Sequence, residues 1–335
     1  MHFPFTSAAI LGAGSLGTAL AKLLAPKLES ILLVSIEADC VEGINRDHRN
    51  PKYITSIELA PHILATGEYR EALAMPLIIF AVPSAAVRSE AGKLAALGLS
   101  AGTPLLSCAK GIERNTGERL SQILRDVFPA NPIGILTGPN HAEEIAADLV
   151  TCAVVASNDP QLAVALQDLF TLPHFRVYTS DDVAGIELGG AVKNVYAIAA
   201  GMAHGLGLGD NAVAALVTRA LAEMTRLGVA LGGRQETFAG LSGVGDLIVT
   251  CFSEHSRNHR VGLALGKGQT LEAAVAALGM VAEGVPNTLS IHEAARKAGV
   301  RTPIIDAVYA ILYQGKPAAV AMRELLDRDP RPECS

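Results

Sequence analysis

The sequence predicts an α/β chain with a parallel, doubly wound sheet in its first half and an all-α second half. Three observations carry that expectation. Short β-rich runs alternate with helical periodicity up to about residue 180, the pattern of βαβ units. Comparable runs are missing after Asp182. At 335 residues the chain also exceeds the size at which a single core usually keeps growing. Strands are expected at 8–11, 31–35, 77–82, 104–107, 133–137, 151–156 and 175–178, with helices between them. Beyond Asp182 the chain is rich in Ala and Leu, and its long helical patterns are punctuated by Gly205, Gly232 and Gly266. The boundary is therefore expected at that aspartate, with a sheet domain over 1–182 and a helical domain over 183–335. The tail 327–335, with two prolines, is expected to fray.

Composition narrows the function classes. Half the residues are hydrophobic, yet there is no Trp and only 4% aromatic content, so the interior must be aliphatic and suited to closely packed helices. A net charge of -6 argues against a nucleic-acid partner, which needs a basic surface; any anion site must be local. Cys40, Cys108, Cys152, Cys251 and Cys334 are odd in number, scattered and without a CxxC pair, which suits a reducing compartment. Histidines are dispersed with no HExxH, so no metal is implied. The first residues carry no basic region or cleavage signal, and the apolar run at 8–11 breaks into glycines, as a strand does and a signal peptide does not. No uncharged apolar stretch reaches the roughly 18 residues of a membrane span. A soluble, cytoplasmic protein is expected.

The first strand leads into Gly12-Ala13-Gly14-Ser15-Leu16-Gly17, and a helix is expected to begin near Ser15. In that context the glycines give a tight turn, close approach of backbone to a pyrophosphate, and close packing of helix on strand, with the anion on helix N–H groups. This is the fingerprint of a Rossmann-type dinucleotide fold. Glu37 stands 20 residues beyond Gly17, where an acidic side chain takes the adenine ribose hydroxyls. The segment 34–39 contains no Arg or Lys, so NAD is favoured over NADP, although Arg46, Arg49 and Lys52 lie downstream and can fold back. Pro83-Ser84 suits either a loop crossing the cofactor or an ordinary strand exit with Ser84 as an N-cap.

Two lysines lie among small apolar residues. Lys110, in Ser107-Cys108-Ala109-Lys110-Gly111, follows a predicted parallel strand, the end at which open α/β sheets bind ligands. Lys193, in Glu187-Leu188-Gly189-Gly190-Ala191-Val192-Lys193-Asn194, lies inside an otherwise apolar helix. These runs resemble the bacterial NAD(P)-dependent glycerol-3-phosphate dehydrogenases. So do Gly138-Pro139-Asn140-His141-Ala142-Glu143-Glu144, Gly205-Leu206-Gly207-Leu208-Gly209-Asp210-Asn211, Gly240-Leu241-Ser242-Gly243-Val244-Gly245-Asp246-Leu247 and Ser256-Arg257-Asn258. The likeness runs in order from about Ala8 to Pro332.

The resemblance implies interconversion of dihydroxyacetone phosphate and sn-glycerol 3-phosphate with NAD or NADP, supplying glycerophospholipid synthesis, in a homodimer. It implies Lys193 as general acid/base, with Asp246 and Lys110 completing the catalytic set. Lys110, Gly138, Lys193, Asp246, Ser256, Arg257 and Asn258 match substrate-binding positions. Ser15, Leu16, Lys110, Ala142, Arg257, Val281 and Glu283 match cofactor contacts, beside Gly12, Gly14, Gly17 and Glu37 of the fingerprint. Physical readings stand beside these roles. A lysine desolvated by apolar neighbours near a second cation has its pKa lowered toward the working range. Asp246, in a glycine-rich loop, either forms an Asx turn or accepts a substrate hydroxyl and orients Lys193. Ser256-Arg257-Asn258, before a helical pattern over 260–265, offers a cap, N–H groups and a guanidinium to a phosphate.

Three departures from the family stand out. Leu16 replaces a usual Trp, Ile36 replaces a common Arg and reinforces NAD, and Asn140-His141 replace Ser or Thr then Phe. Asn140 still hydrogen-bonds and is kept among the substrate-binding positions. The alternatives are a hydroxy-acid or ketopantoate-type reductase, which would not need the segment 256–258, and a non-catalytic NAD(H) sensor, which would not need Lys110, Lys193 and Asp246 together.

Overall fold

The computed structural model describes residues 5–326; the tail expected to fray lies outside them. The strands are β1 (Ser7–Leu11), β2 (Ser30–Val34), β3 (Ile63–Thr66), β4 (Ile78–Phe80), β5 (Leu105–Ser107), β6 (Ile133–Thr137), β7 (Thr151–Ser157) and β8 (Phe175–Ser180). They form one sheet in the order β3-β2-β1-β4-β5-β6-β7-β8. Every neighbouring pair is parallel except β6 with β7. The chain leaves β1 toward β2 on one side and returns to β4 on the other, so the carboxyl ends of β1 and β4 flank the crevice where such sheets bind ligands.

The helices are α1 (Ser15–Leu24), α2 (Ala38–Asp47), α3 (Tyr69–Ala72), α4 (Val87–Ala96), α5 (Leu120–Val127), α6 (Ala142–Ala146), α7 (Pro160–Phe170), α8 (Val183–Gly205), α9 (Asp210–Ala230), α10 (Gln235–Phe238), α11 (Asp246–Phe252), α12 (Arg257–Gly266), α13 (Leu271–Ala276), α14 (Gly284–Lys297), α15 (Pro303–Gln314) and α16 (Ala318–Leu326). The last strand ends at Ser180 and every regular element from Val183 on is helical. Among the described residues no helix is long and apolar enough to cross a membrane.

Strands buried on both faces read as unbroken apolar runs, which is why β1 and β4 are legible: Ile10, Ile78, Ile79 and Phe80 are all fully buried. β3 is the strand absent from the expected set. It has four residues, lies at the sheet edge and leaves Leu64 half exposed. Its outer edge is held by the Asn45 side chain, which donates to Ala65 O and accepts from Ala65 N, both at 2.8 Å. That pairing spares the edge unpaired backbone and leaves no periodic signal.

In the helical half, α8 is buried from Gly185 to Ala203, as a helix apolar on all sides must be. α12 crosses it at backbone contact. A Cβ on Gly201 would stand 2.1 Å from His259 O, and one on Gly262 would stand 2.0 Å from Ile198 O. Only glycine permits that approach, and it brings the N-terminus of α12 beside the middle of α8.

Candidate active site

The glycine loop fits a dinucleotide. Gly12 has φ +102° and its missing Cβ would meet Ala81 O at 2.8 Å; a Cβ on Gly17 would stand 1.8 Å from Gly12 O. Gly14 faces open space and is the N-cap of α1, with no side-chain cap and no acidic residue in the first turn. The first amides of α1 are thus left as donors for an anion. Ser15 Oγ approaches Met280 Sδ at 3.9 Å, so the helical half reaches the loop. Leu16 packs against the sheet core, and Ala142, the first residue of α6, is buried against α1.

The segment after Met280 closes on the sheet half. Arg257 Nη1 donates to Val281 O at 2.9 Å. Glu283 accepts from Ser84 N at 2.9 Å and Ser84 Oγ at 2.5 Å, and burial pushes its carboxyl up despite those bonds. Ser84 opens a 3₁₀ turn, with Pro83 preceding it and no side-chain cap; its hydroxyl binds Glu283 and does not cap the turn.

Glu37 lies at the N-cap of α2, just past the end of β2. Its carboxylate is not free: Lys52 folds back onto it, with Tyr53 OH at 3.3 Å. Lys52 holds it below the usual carboxylate range. The other two basic residues are engaged elsewhere, Arg46 with Glu42 and Asp47, and Arg49 with Glu58.

The candidate chemical centre joins both halves of the molecule. Asp246, 1% exposed, receives Lys193 Nζ on Oδ1 at 2.5 Å and Lys110 Nζ on Oδ2 at 2.8 Å. Lys193 also donates to Thr250 Oγ1 at 2.6 Å. Lys110 also donates to Gly138 O at 3.0 Å and Asn140 Oδ1 at 2.7 Å. An ammonium has three N–H groups. Lys110 commits all three to protein oxygens, whereas Lys193 commits two and has one N–H with no protein partner among the described residues. Burial lowers the Lys193 pKa to about 8, Lys110 pushes the same way, and Asp246 pulls against them. Burial opposes the charge of Asp246, but the two lysines together hold it below the usual range.

The sequence places Asp246 in a loop. A π-helical turn, Leu241–Gly245, instead delivers it to the first turn of α11. On that helix Thr250 falls four residues later on the same face, so its contact with Lys193 follows from a helical assignment and is invisible from a loop. The expected helix start near 260 also moves. α12 begins at Arg257 because Ser256 Oγ caps it, accepting from His259 N at 3.2 Å. Asn258 donates to Asn194 Oδ1 at 2.9 Å and accepts from Gly284 N at 2.8 Å, tying α8, α12 and α14 together. Asn287 is a further residue the sequence does not single out; it donates to Lys110 O at 2.9 Å. His141, at the departure from the family, has its pKa lowered to about 4 by burial and then by Lys193 and Lys110.

Comparison with known proteins bears on this arrangement. Residues 7–163 match the family model of the NAD-dependent glycerol-3-phosphate dehydrogenase N-terminus, and residues 182–323 match that of the C-terminus. A glycerol-3-phosphate dehydrogenase [NAD(P)+] of Moorella thermoacetica is 47% identical over 323 residues, covering 96% of each chain. One of Clostridium tetani is 44% identical over 324 residues, covering 96% of this chain and 93% of its own. The crystal structure of the glycerol-3-phosphate dehydrogenase of Coxiella burnetii superposes with a TM-score of 0.93 at 38% identity, covering 97% of this chain and 99% of its own.

Proposed function

Starting from the premise that this chain belongs to the NAD-dependent glycerol-3-phosphate dehydrogenase family, we propose that Lys193 is its general acid/base and Asp246 and Lys110 the groups that hold it. The chain is an NAD(P)-dependent oxidoreductase acting on a CH–OH group, interconverting dihydroxyacetone phosphate and sn-glycerol 3-phosphate. The single observation that carries the assignment is the difference between the two lysines: among the described residues, Lys193 has an N–H uncommitted to the protein and Lys110 does not.

When bound, the nicotinamide supplies or accepts the hydride. In the oxidising direction, neutral Lys193 takes the carbinol proton; in the reducing direction its ammonium returns that proton to the carbonyl oxygen. Asp246 fixes the Lys193 amine and takes a hydrogen bond from a substrate hydroxyl, while Lys110 anchors Asp246, Asn140 and the Gly138 carbonyl in one register. Arg257, with Ser256 and Asn258 at the start of α12, receives the phosphate. Gly12, Gly14 and Gly17, with Ser15, Leu16, Ala142, Val281 and Glu283, line the dinucleotide. Lys193→Ala is expected to abolish reduction of dihydroxyacetone phosphate while NADH affinity, read by fluorescence titration, stays within threefold. Normal turnover in that variant refutes the role.

The finer assignments are part of the same proposal. Glu37 takes the adenine ribose hydroxyls and favours NADH, which comparison of Michaelis constants for the two cofactors tests. The domain boundary falls between Asp182 and Val183. The free cysteines Cys40, Cys108, Cys152 and Cys251 suit a cytoplasmic location, and the resemblance suggests a homodimer supplying glycerophospholipid synthesis. Light scattering of the purified chain tests the dimer.

A further inference from the structure

The loop after α2 carries a feature that the dehydrogenase reaction does not use. Asn50 is fully buried. Its amide donates to Ala13 O at 2.7 Å and Thr18 Oγ1 at 2.9 Å, within the glycine loop and the helix that follows it. Its oxygen accepts from Lys52 N and Tyr53 N, both at 3.0 Å. One side chain therefore locks the backbone of Lys52 to the backbone of the dinucleotide loop. The Lys52 ammonium is carried onto Glu37, and both side chains remain open to solvent, at 45% and 29% exposure. Beside them Ile36 is 83% exposed, an apolar surface next to a charged pair.

We propose that Lys52 is a cofactor-discriminating residue, an ammonium fixed beside Glu37 that receives the 2′-phosphate of NADPH and so lets the chain bind either dinucleotide. The proposal rests on the reading of Glu37 as the ribose contact. A carboxylate alone at that position repels a 2′-phosphate. Paired with Lys52 it presents almost no net charge. The ammonium can then exchange the carboxylate for the phosphate, keeping one charge-assisted hydrogen bond throughout. With NADH the pair stays closed, and Glu37 Oε2, which otherwise takes only the weak Cys40 Sγ–H contact at 3.6 Å, accepts a ribose hydroxyl. Glu37 thus favours NADH, and Lys52 limits how far NADPH is rejected.

The test uses the whole chain and two ligands that differ only in the phosphate at issue, adenosine 5′-monophosphate and adenosine 2′,5′-bisphosphate, with binding read by isothermal titration calorimetry. Lys52→Ala is expected to weaken the bisphosphate at least tenfold and the monophosphate less than threefold, while Lys52→Arg retains bisphosphate binding. The wild type should also lose bisphosphate affinity with added salt more steeply than Lys52→Ala does. Equal weakening of both ligands, or no weakening of the bisphosphate, overturns the proposal. The Glu37 reading fails separately, if Glu37→Gln leaves monophosphate affinity unchanged. The Lys52 side chain is 45% exposed, its ammonium lying on Glu37 and over the Tyr53 ring, so its variants are expected to fold.

Discussion

The acid/base role proposed for Lys193 depends on where a single ammonium is held. Burial is the largest influence on its pKa and lowers it to about 8; Lys110 lowers it further and Asp246 raises it. The sign of the pH dependence follows. In the proposed role, oxidation of sn-glycerol 3-phosphate uses the neutral amine, so kcat/KM in that direction should rise with pH and level off above about 8. Reduction of dihydroxyacetone phosphate needs the ammonium, so its kcat/KM should fall as pH passes the same value. Lys110→Met removes a cation that disfavours the charged form, and should move both limbs to higher pH. Steady-state profiles in the two directions check this, and a Lys110→Met profile displaced to lower pH would contradict the arrangement. A variant that only loosened the fold would lower rates without moving the limbs.

At the scale of elements, the crossing of α8 and α12 decides whether the residues proposed to bind the phosphate share one site with Lys193. Gly201 faces His259 O and Gly262 faces Ile198 O at distances no methyl group tolerates. Gly262→Ala should therefore force the helices apart. Overpacking of this kind costs about 1–3 kcal/mol, which urea denaturation reads. Because Arg257 opens α12 and Ser256 caps it, the Michaelis constant for dihydroxyacetone phosphate should rise at least fivefold while that for NADH moves less. Equal changes in both would mean that the crossing does not set the phosphate position. The same contrast explains what the sequence makes legible. The glycine fingerprint, the apolar strands and the two lysines are local patterns, each decided by neighbours in the chain. β3, stabilised through Asn45, the helical placement of Asp246 after a π-helical turn, and the choice of Lys52 over Arg46 and Arg49 as the residue that returns to Glu37 depend on partners far along the chain or on backbone geometry without a residue signature. Leu16 and Glu283 illustrate the middle ground. The resemblance marks both positions, but only the fold shows that Leu16 joins the sheet core and that Glu283 grips Ser84.

At the scale of the whole molecule, the proposed site assembles only if the sheet half and helical half stay in register, because Lys110 comes from one and Lys193 and Asp246 from the other. Buried polar ties fix that register. On one side Ser84 binds Glu283 and Lys110 O receives Asn287. On the other, Glu187 of α8 accepts from Arg119 Nη1 at 2.7 Å and Ser121 N at 2.8 Å, and from the Ser121 hydroxyl. Burial raises the Glu187 pKa even though Arg119 opposes it, so the pair does not recover the full cost of desolvating the carboxylate. Removing one partner is nonetheless expensive, since it strands the other and leaves the amide and hydroxyl of Ser121 without an acceptor. Glu187→Ala should cost about 3 kcal/mol of stability, read by chemical denaturation, whereas a loss below about 1 kcal/mol would match an exposed ion pair. The pH dependence supplies a second readout. A folded pKa above the unfolded one means that Glu187 contributes most to stability below the unfolded value, and that this contribution fades as pH rises through the folded one. Glu187→Gln lacks this titration, so the stability of the wild type relative to Gln should decline across that window. A flat difference would show that the carboxylate is as easily ionised in the folded chain as in the unfolded one, and that the register of the two halves does not depend on its burial.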